Sequence, residues 1–307
     1  MGDIKFFKIN NDNVQELHGH SISLEKSLQT LIENHLESFL GIKFLASEYS
    51  TGKRHGGRID TLGLDENYSP VIIEYKRSMN ENVINQGLYY LDWLLDHKAE
   101  FELMTLRKFG QSIADNIDWS SPRLLCIAGN FTKYDEHAVQ QINRNIELYQ
   151  YKHYIDGFLM LDLVNSTTAQ TVYIEDNSID RTQKSNIKTF KTVSDYLDQA
   201  NEQLTDRFEN LKAFMIALGD DVQMKTLKYY IAFKRIKNFA CVEVHPQSNS
   251  ILVYLKVDPT TVTLEQGFTR NVTNIGHYGT GDLEIRINTD EDLEKAKHFI
   301  EESYDIS

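Results

Sequence analysis

Residues 57–76, GRIDTLGLDENYSPVIIEYK, decide the fold reading of this chain. Two β-rich runs, 57–65 and 70–76, flank the polar tetrad Glu66-Asn67-Tyr68-Ser69, which has the composition of a turn. In an extended run alternate side chains share a face, so Glu74 and Lys76 point one way while Ile73 and Tyr75 point the other. Upstream, IKFLASEY (42–49) forms a third extended run. It is preceded by an amphipathic helix over 23–40, with Leu24, Leu28, Leu31, Ile32, Leu36 and Phe39 at helical spacing, Ser23 as cap and Gly41 as stop. Downstream, the pattern predicts a helix over 81–97 continued by another to about 116, then the apolar strand RLLCIAGNF. Thr132 is suited to cap a helix over 134–145, and IELYQYKHYIDGFLMLDLV supplies one or two further strands. The order is helix, three strands, helix, strand.

If residues 66–69 turn the chain back, Asp60 lies on the strand beside Glu74. Two convergent carboxylates make a hard oxygen site suited to Mg²⁺, and Lys76 on the same face can orient a water or balance developing charge. Glu-x-Lys alone is a weak signal, but here it ends an apolar run, where charged groups need a partner or a function. The competing reading is an ion-pair arrangement on an edge strand.

Asp60, then Glu74-x-Lys76 at the end of a hydrophobic strand, then Gln86-x-x-x-Tyr90 on the next helix, resembles the PD-(D/E)xK nuclease superfamily, and within it the RecB-like and NucS-like branches. Ile59-Asp60 stands where the family name has Pro-Asp. The resemblance covers roughly residues 20–165 and implies an α/β, restriction-endonuclease-like domain with an αβββαβ core and a mixed sheet. It makes Asp60 and Glu74 metal ligands for Mg²⁺ or Mn²⁺, Lys76 the catalytic lysine, and Gln86 and Tyr90 helix residues facing the site. Positions four apart share a helix face, with Val83, Leu88, Leu91 and Leu95 supplying the core face alongside. Glu25 matches a carboxylate that many members carry in the first helix and joins the metal set, and Glu48 is a further candidate. The activity implied is that of a hydrolase cutting phosphodiesters, a DNA endonuclease first of all. The alternative is a nucleic-acid-binding or regulatory protein that keeps the fold without cutting. Related folds often work as homodimers.

The chain of 307 residues, 41% hydrophobic and 25% charged with 4 prolines, suits two globular domains. The expected division is a nuclease-like domain over 1–165, a polar linker over 166–190 and an α+β C-terminal domain over 191–307. That last part resembles an uncharacterised module attached to such nuclease domains. A net charge of −13 opposes phosphate binding, yet Lys53, Arg54, His55, Arg58, Lys76 and Arg77 bracket the site with cations. Of these, Arg54, His55, Arg58 and Arg77, with Tyr90, are the expected nucleic-acid contacts. No apolar run reaches the roughly 20 residues of a membrane span, and no signal peptide opens the chain, so a cytoplasmic protein with no membrane partner is expected. Cys126 and Cys241, in apolar runs, read as reduced core thiols. His18 and His20 read as solvated loop residues. The stretch from Lys225 to Phe239, with Lys228, Lys234, Arg235 and Lys237 among Tyr229, Tyr230 and Phe233, suits either nucleic-acid contact or an amphipathic helix followed by a core strand. His277, Tyr278, Gly279 and Gly281 read as a glycine-rich hairpin turn or a functional loop.

Overall fold

The computed structural model describes residues 4–10, 13–20, 25–76, 83–169 and 192–307. The chain forms two compact units, residues 1–173 and 174–307. The expected linker over 166–190 lies, from residue 170 on, outside the described residues, as do Ser23, Leu24 and Arg77.

The first unit opens with a two-stranded hairpin, β1 (Phe6–Asn10) and β2 (Asn13–Leu17). His20 then pairs its backbone with His153, so this exposed histidine belongs to a β-bridge and not to a plain loop. The helix expected over 23–40 is two helices, α1 (Glu25–Asn34) and α2 (Leu36–Leu40), and α2 ends at Gly41 in the left-handed conformation. Next come β3 (Lys43–Ser50), a single helical turn α3 (Gly52–His55), β4 (Arg58–Leu64) and β5 (Pro70–Lys76). They are followed by α4 (Val83–Asp96), α5 (Lys98–Phe109), the short α6 (Gln111–Ala114) and β6 (Arg123–Ala128). Thr132 caps α7 (Lys133–Gln140) in a reciprocal capping box with Asp135. This helix stops short of residue 145, because the apolar run from Ile146 is needed as a strand: β7 (Asn145–His153) leads to β8 (Leu159–Thr167).

These strands form one mixed sheet in the order β3-β4-β5-β6-β7-β8. Pairing is antiparallel from β3 to β5, parallel from β5 to β7 and antiparallel again at β8. Helix α1 covers the face bearing Thr61 and Tyr75, with Leu28 and Ile32 fully buried. Helix α4 covers the other face, where Tyr90, Leu91 and Leu94 pack with Leu62, Ile72, Leu124 and Cys126. Gly87 permits this close approach, since a Cβ there would sit 2.4 Å from a Leu124 methyl.

At the end of the sheet where β6 starts, a buried charge network ties β6, β7 and the β4–β5 turn together. Arg123 donates two bonds of 2.8 Å to Glu147 and one of 2.9 Å to Asp65. Asp65 also accepts from the turn N–H groups of Asn67 and Ser69, and Tyr149 donates to Glu147 at 2.7 Å.

The second unit opens with two helices, α8 (Val193–Leu197) and α9 (Glu202–Ala217). The strands are β9 (Gln223–Thr226), β10 (Ile231–Lys234), β11 (Asn238–His245), β12 (Ser250–Leu255), β13 (Thr269–Asn271) and β14 (Leu283–Ile287), closed by α10 (Asp290–Asp305). They form an antiparallel sheet in the order β13-β14-β12-β11-β10-β9, whose apolar face packs on the three helices. The basic and aromatic stretch is thus a hairpin, not a helix. Tyr230, Phe233, Lys234 and Phe239 are buried, which removes the stacking surface that their composition suggested. The His277–Gly281 segment is more than a hairpin turn: it straps the outer face of the sheet, with His277 stacked on Tyr254 at 4.3 Å and the Thr280 N–H directed at the Cys241 sulfur. Among the described residues no helix is long and apolar enough to cross a membrane.

Candidate active site

The β4–β5 ladder runs from Leu64–Pro70 to Thr61–Ile73 and stops there. Beyond it, Arg58 and Ile59 pair only with β3, while Glu74, Tyr75 and Lys76 pair with β6. The two strands part, and a notch opens between them. Side chains take over the backbone groups that the ladder leaves: Asp60 Oδ2 accepts the Tyr75 N–H at 3.0 Å, and Glu74 Oε1 accepts the Asp60 N–H at 3.2 Å. Each carboxylate is fixed by the backbone of the opposite strand, so both face into the notch. Because β3 lies outside β4 and β6 outside β5, this is no edge-strand ion-pair decoration, and Glu74 is fully buried.

Burial pushes the Glu74 carboxyl up to about 9, and the neighbouring Asp60 charge adds to it, against the Asp60 N–H and Lys76. Asp60 is raised to about 6, again first by burial, with its Tyr75 N–H bond and Lys76 opposing and Glu48 and Glu25 adding to the rise. Glu74 Oε2 is buried with no hydrogen-bond partner among the described residues. Lys76 lies on the same face, its Nζ 3.5 Å from Glu25 Oε1 at the start of α1.

A buried, unpartnered carboxylate oxygen beside a second carboxylate is the chemistry of a hard-cation site, so the residues present fit a divalent metal. Among the described residues no group of three His, Cys, Asp or Glu side chains forms a fuller cage. Such a set suits Mg²⁺, which is commonly held by one or two carboxylates together with water and substrate phosphate.

An open cleft of about 760 Å³ is lined by Glu48, Lys53, Gly57, Arg58, Gln86 and Tyr90 among others; it reaches β4 at Arg58, two residues before Asp60, and Asp60, Glu74 and Lys76 are not part of its lining. The Tyr90 hydroxyl accepts the Arg58 N–H at 3.1 Å and the Gln86 side-chain amide at 3.3 Å, so α4 holds the strand that carries Asp60. Gly57 makes room for this, since a Cβ there would lie 2.5 Å from the Tyr90 ring. Gly56, at φ 61°, ends α3. His55 is turned away, its ring against Tyr89 and His97, and its carbonyl accepts from the Tyr89 hydroxyl. The Arg54 side chain, like Arg77, lies outside the described residues.

Gln29 is a residue that the motif reading does not reach. It is buried on α1, and its amide donates to the Asp60 carbonyl at 2.9 Å and to Glu33 at 2.9 Å. Glu33 in turn accepts from Thr61, beside Asp60. The available signal is spacing: Gln29 follows Glu25 by four residues and so shares its helix face.

Residues 193–307 match a family model described as "Domain of unknown function (DUF5655)". Over 305 residues the chain is 29% identical to an "Uncharacterized protein" of Haemophilus influenzae, spanning 98% of this chain and 99% of that one. Among solved structures, a repair endonuclease from Pyrococcus abyssi is similar at 17% identity and a TM-score of 0.28, over 48% of this chain and 64% of that one. A second structure, of an EndoMS–dsDNA2 complex, is similar at 18% identity and a TM-score of 0.25, over 43% of this chain and 47% of that one. The chain therefore spans about half to two thirds of the length of these structures.

Proposed function

We propose that this chain is a metal-dependent nuclease on a restriction-endonuclease-like fold, and that its substrate is DNA. The observation that carries this reading is the Asp60–Glu74 pair facing the β4–β5 notch, with the buried Glu74 Oε2 unpartnered and Lys76 on the same face. Asp60 and Glu74 would hold Mg²⁺ or Mn²⁺, which when bound would supply Lewis-acid polarisation of a phosphodiester. Lys76 would donate to the attacking water or to a non-bridging phosphate oxygen and offset the charge that builds there. Glu25, near Lys76 Nζ, keeps that ammonium oriented. Arg58 and Lys53 would receive backbone phosphates along the cleft.

The test is cleavage of a mixed panel of labelled DNA and RNA, duplex, single-stranded and branched, with Mg²⁺, Mn²⁺ or EDTA. Metal-dependent cutting by the wild type is the expected result. The full burial of Glu74, which pushes its carboxyl up to about 9 and so keeps it protonated near neutral pH, favours a second reading, a protein that binds nucleic acid without cutting it. Binding across the panel with no cleavage under any metal would select that reading.

A further inference from the structure

In the cleft, the Arg58 guanidinium that the proposed function assigns to phosphate is already paired with a carboxylate. Glu48 sits at φ 52°, a left-handed backbone that a glutamate rarely adopts. It lies opposite Asp60 in the β3–β4 register, between the pairs Ser47–Thr61 and Tyr49–Ile59. From there its carboxylate joins cations of two elements: Oε1 accepts from Lys26 Nζ of α1 at 2.6 Å and Oε2 from Arg58 of β4 at 3.2 Å. Glu48 and Arg58 both line the cleft. An ammonium and a guanidinium converging on one carboxylate present the donors that would receive a phosphate. Side-chain exposures of 59% for Lys26, 66% for Arg58 and 34% for Glu48 leave the pairs open to water, where such contacts are weak and exchange readily.

Resting on the reading of the cleft as a phosphodiester site, we infer that Lys26 and Arg58 form an anion subsite for a backbone phosphate beside the scissile one, and that Glu48 fills this subsite until substrate displaces it. The strained backbone at residue 48 is what carries the carboxylate to that place. Glu48 thereby lowers affinity for polyanions in general and leaves binding to those that can replace it.

The test compares full-length wild type, Glu48→Gln and Glu48→Gly, with binding of inorganic pyrophosphate and a labelled DNA oligonucleotide measured in EDTA and cleavage of the same oligonucleotide measured with Mg²⁺ or Mn²⁺. Glu48→Gly also relieves the left-handed backbone, so a folded variant is in hand even if the glutamine is poorly tolerated. Both variants are expected to bind each probe several-fold more tightly at low salt. For duplex DNA the log–log salt slope should steepen by about 0.9 for each cation freed. Adding Lys26→Ala should reverse part of the gain. Unchanged or weaker binding of both probes by both variants overturns the subsite. Tighter pyrophosphate binding with no DNA binding or cleavage by any form keeps the subsite and defeats the nuclease reading. Cleavage by the wild type with no effect of Glu48 on either probe does the reverse.

Discussion

Asp60 and Glu74 are each held by a backbone N–H of the opposite strand, Asp60 by that of Tyr75 and Glu74 by that of Asp60, where the two strands part, and this has a consequence for stability. Glu74 is raised from 4.5 to about 9 and Asp60 from 3.8 to about 6, both chiefly by burial. A carboxyl whose folded value is raised contributes stability that is complete below its unfolded value and is lost as pH rises through the folded one. In EDTA, the wild type should therefore lose stability between about pH 6 and 9, the interval that belongs to Glu74. Glu74→Gln should flatten that part of the curve, and Mg²⁺ should restore the wild type but not the variant. Thermal melts across pH check this, and an identical slope in both proteins would contradict it. At Gly57, alanine places a methyl against the Tyr90 ring and should cost about 1–3 kcal/mol by overpacking, read from denaturant midpoints. The central trio is legible in the sequence because strand alternation fixes the side of Glu74 and Lys76, and the turn after Asp65 returns Asp60 beside them. Gln29 is legible only as far as its spacing from Glu25 puts it on the same helix face, since a bond from a side-chain amide to the backbone carbonyl of Asp60 leaves no mark in the sequence.

At the scale of elements, the β4–β5 turn is clamped to β6 and β7 by Arg123, at the end of β5 away from Glu74. Replacing Arg123 with Met leaves Asp65 and Glu147 buried without their cation, which should cost about 3–5 kcal/mol in equilibrium unfolding. A loss near zero would mean that the carboxylates protonate or reach water instead. The six elements around the site follow from periodicity, with boundaries that shift where local chemistry intervenes. The first helix breaks at His35, and α7 ends at Gln140 so that Ile146 to Tyr151 can be buried as a strand. The basic stretch after Lys225 misleads for a related reason: β10 is an inner strand covered on both faces, so Phe233 and Lys234 are buried alike, which composition cannot reveal.

For the molecule as a whole, each compact unit holds one buried free cysteine, Cys126 in the first and Cys241 in the second. Burial also raises the Cys126 thiol well above its ordinary value. Neither should react with a thiol reagent until its own unit opens, so single-cysteine variants titrated with denaturant should report the two unfolding transitions separately. Rapid labelling of Cys126 in native buffer would contradict the closed β6 core. The division into two units is visible in the polar run that begins near residue 165, whereas the strap over the outer face of the second sheet is a tertiary feature with no local pattern.

Two variants of one site test the proposed nuclease: Glu74→Ala and Lys76→Ala, each compared with wild type for DNA cleavage in Mn²⁺ and for Mn²⁺ binding by calorimetry. Both variants are expected to lose cleavage by at least about 100-fold, as removal of a transition-state donor does, with only Glu74→Ala losing the metal. Cleavage surviving in either variant, or metal binding untouched by Glu74→Ala, would contradict the proposal.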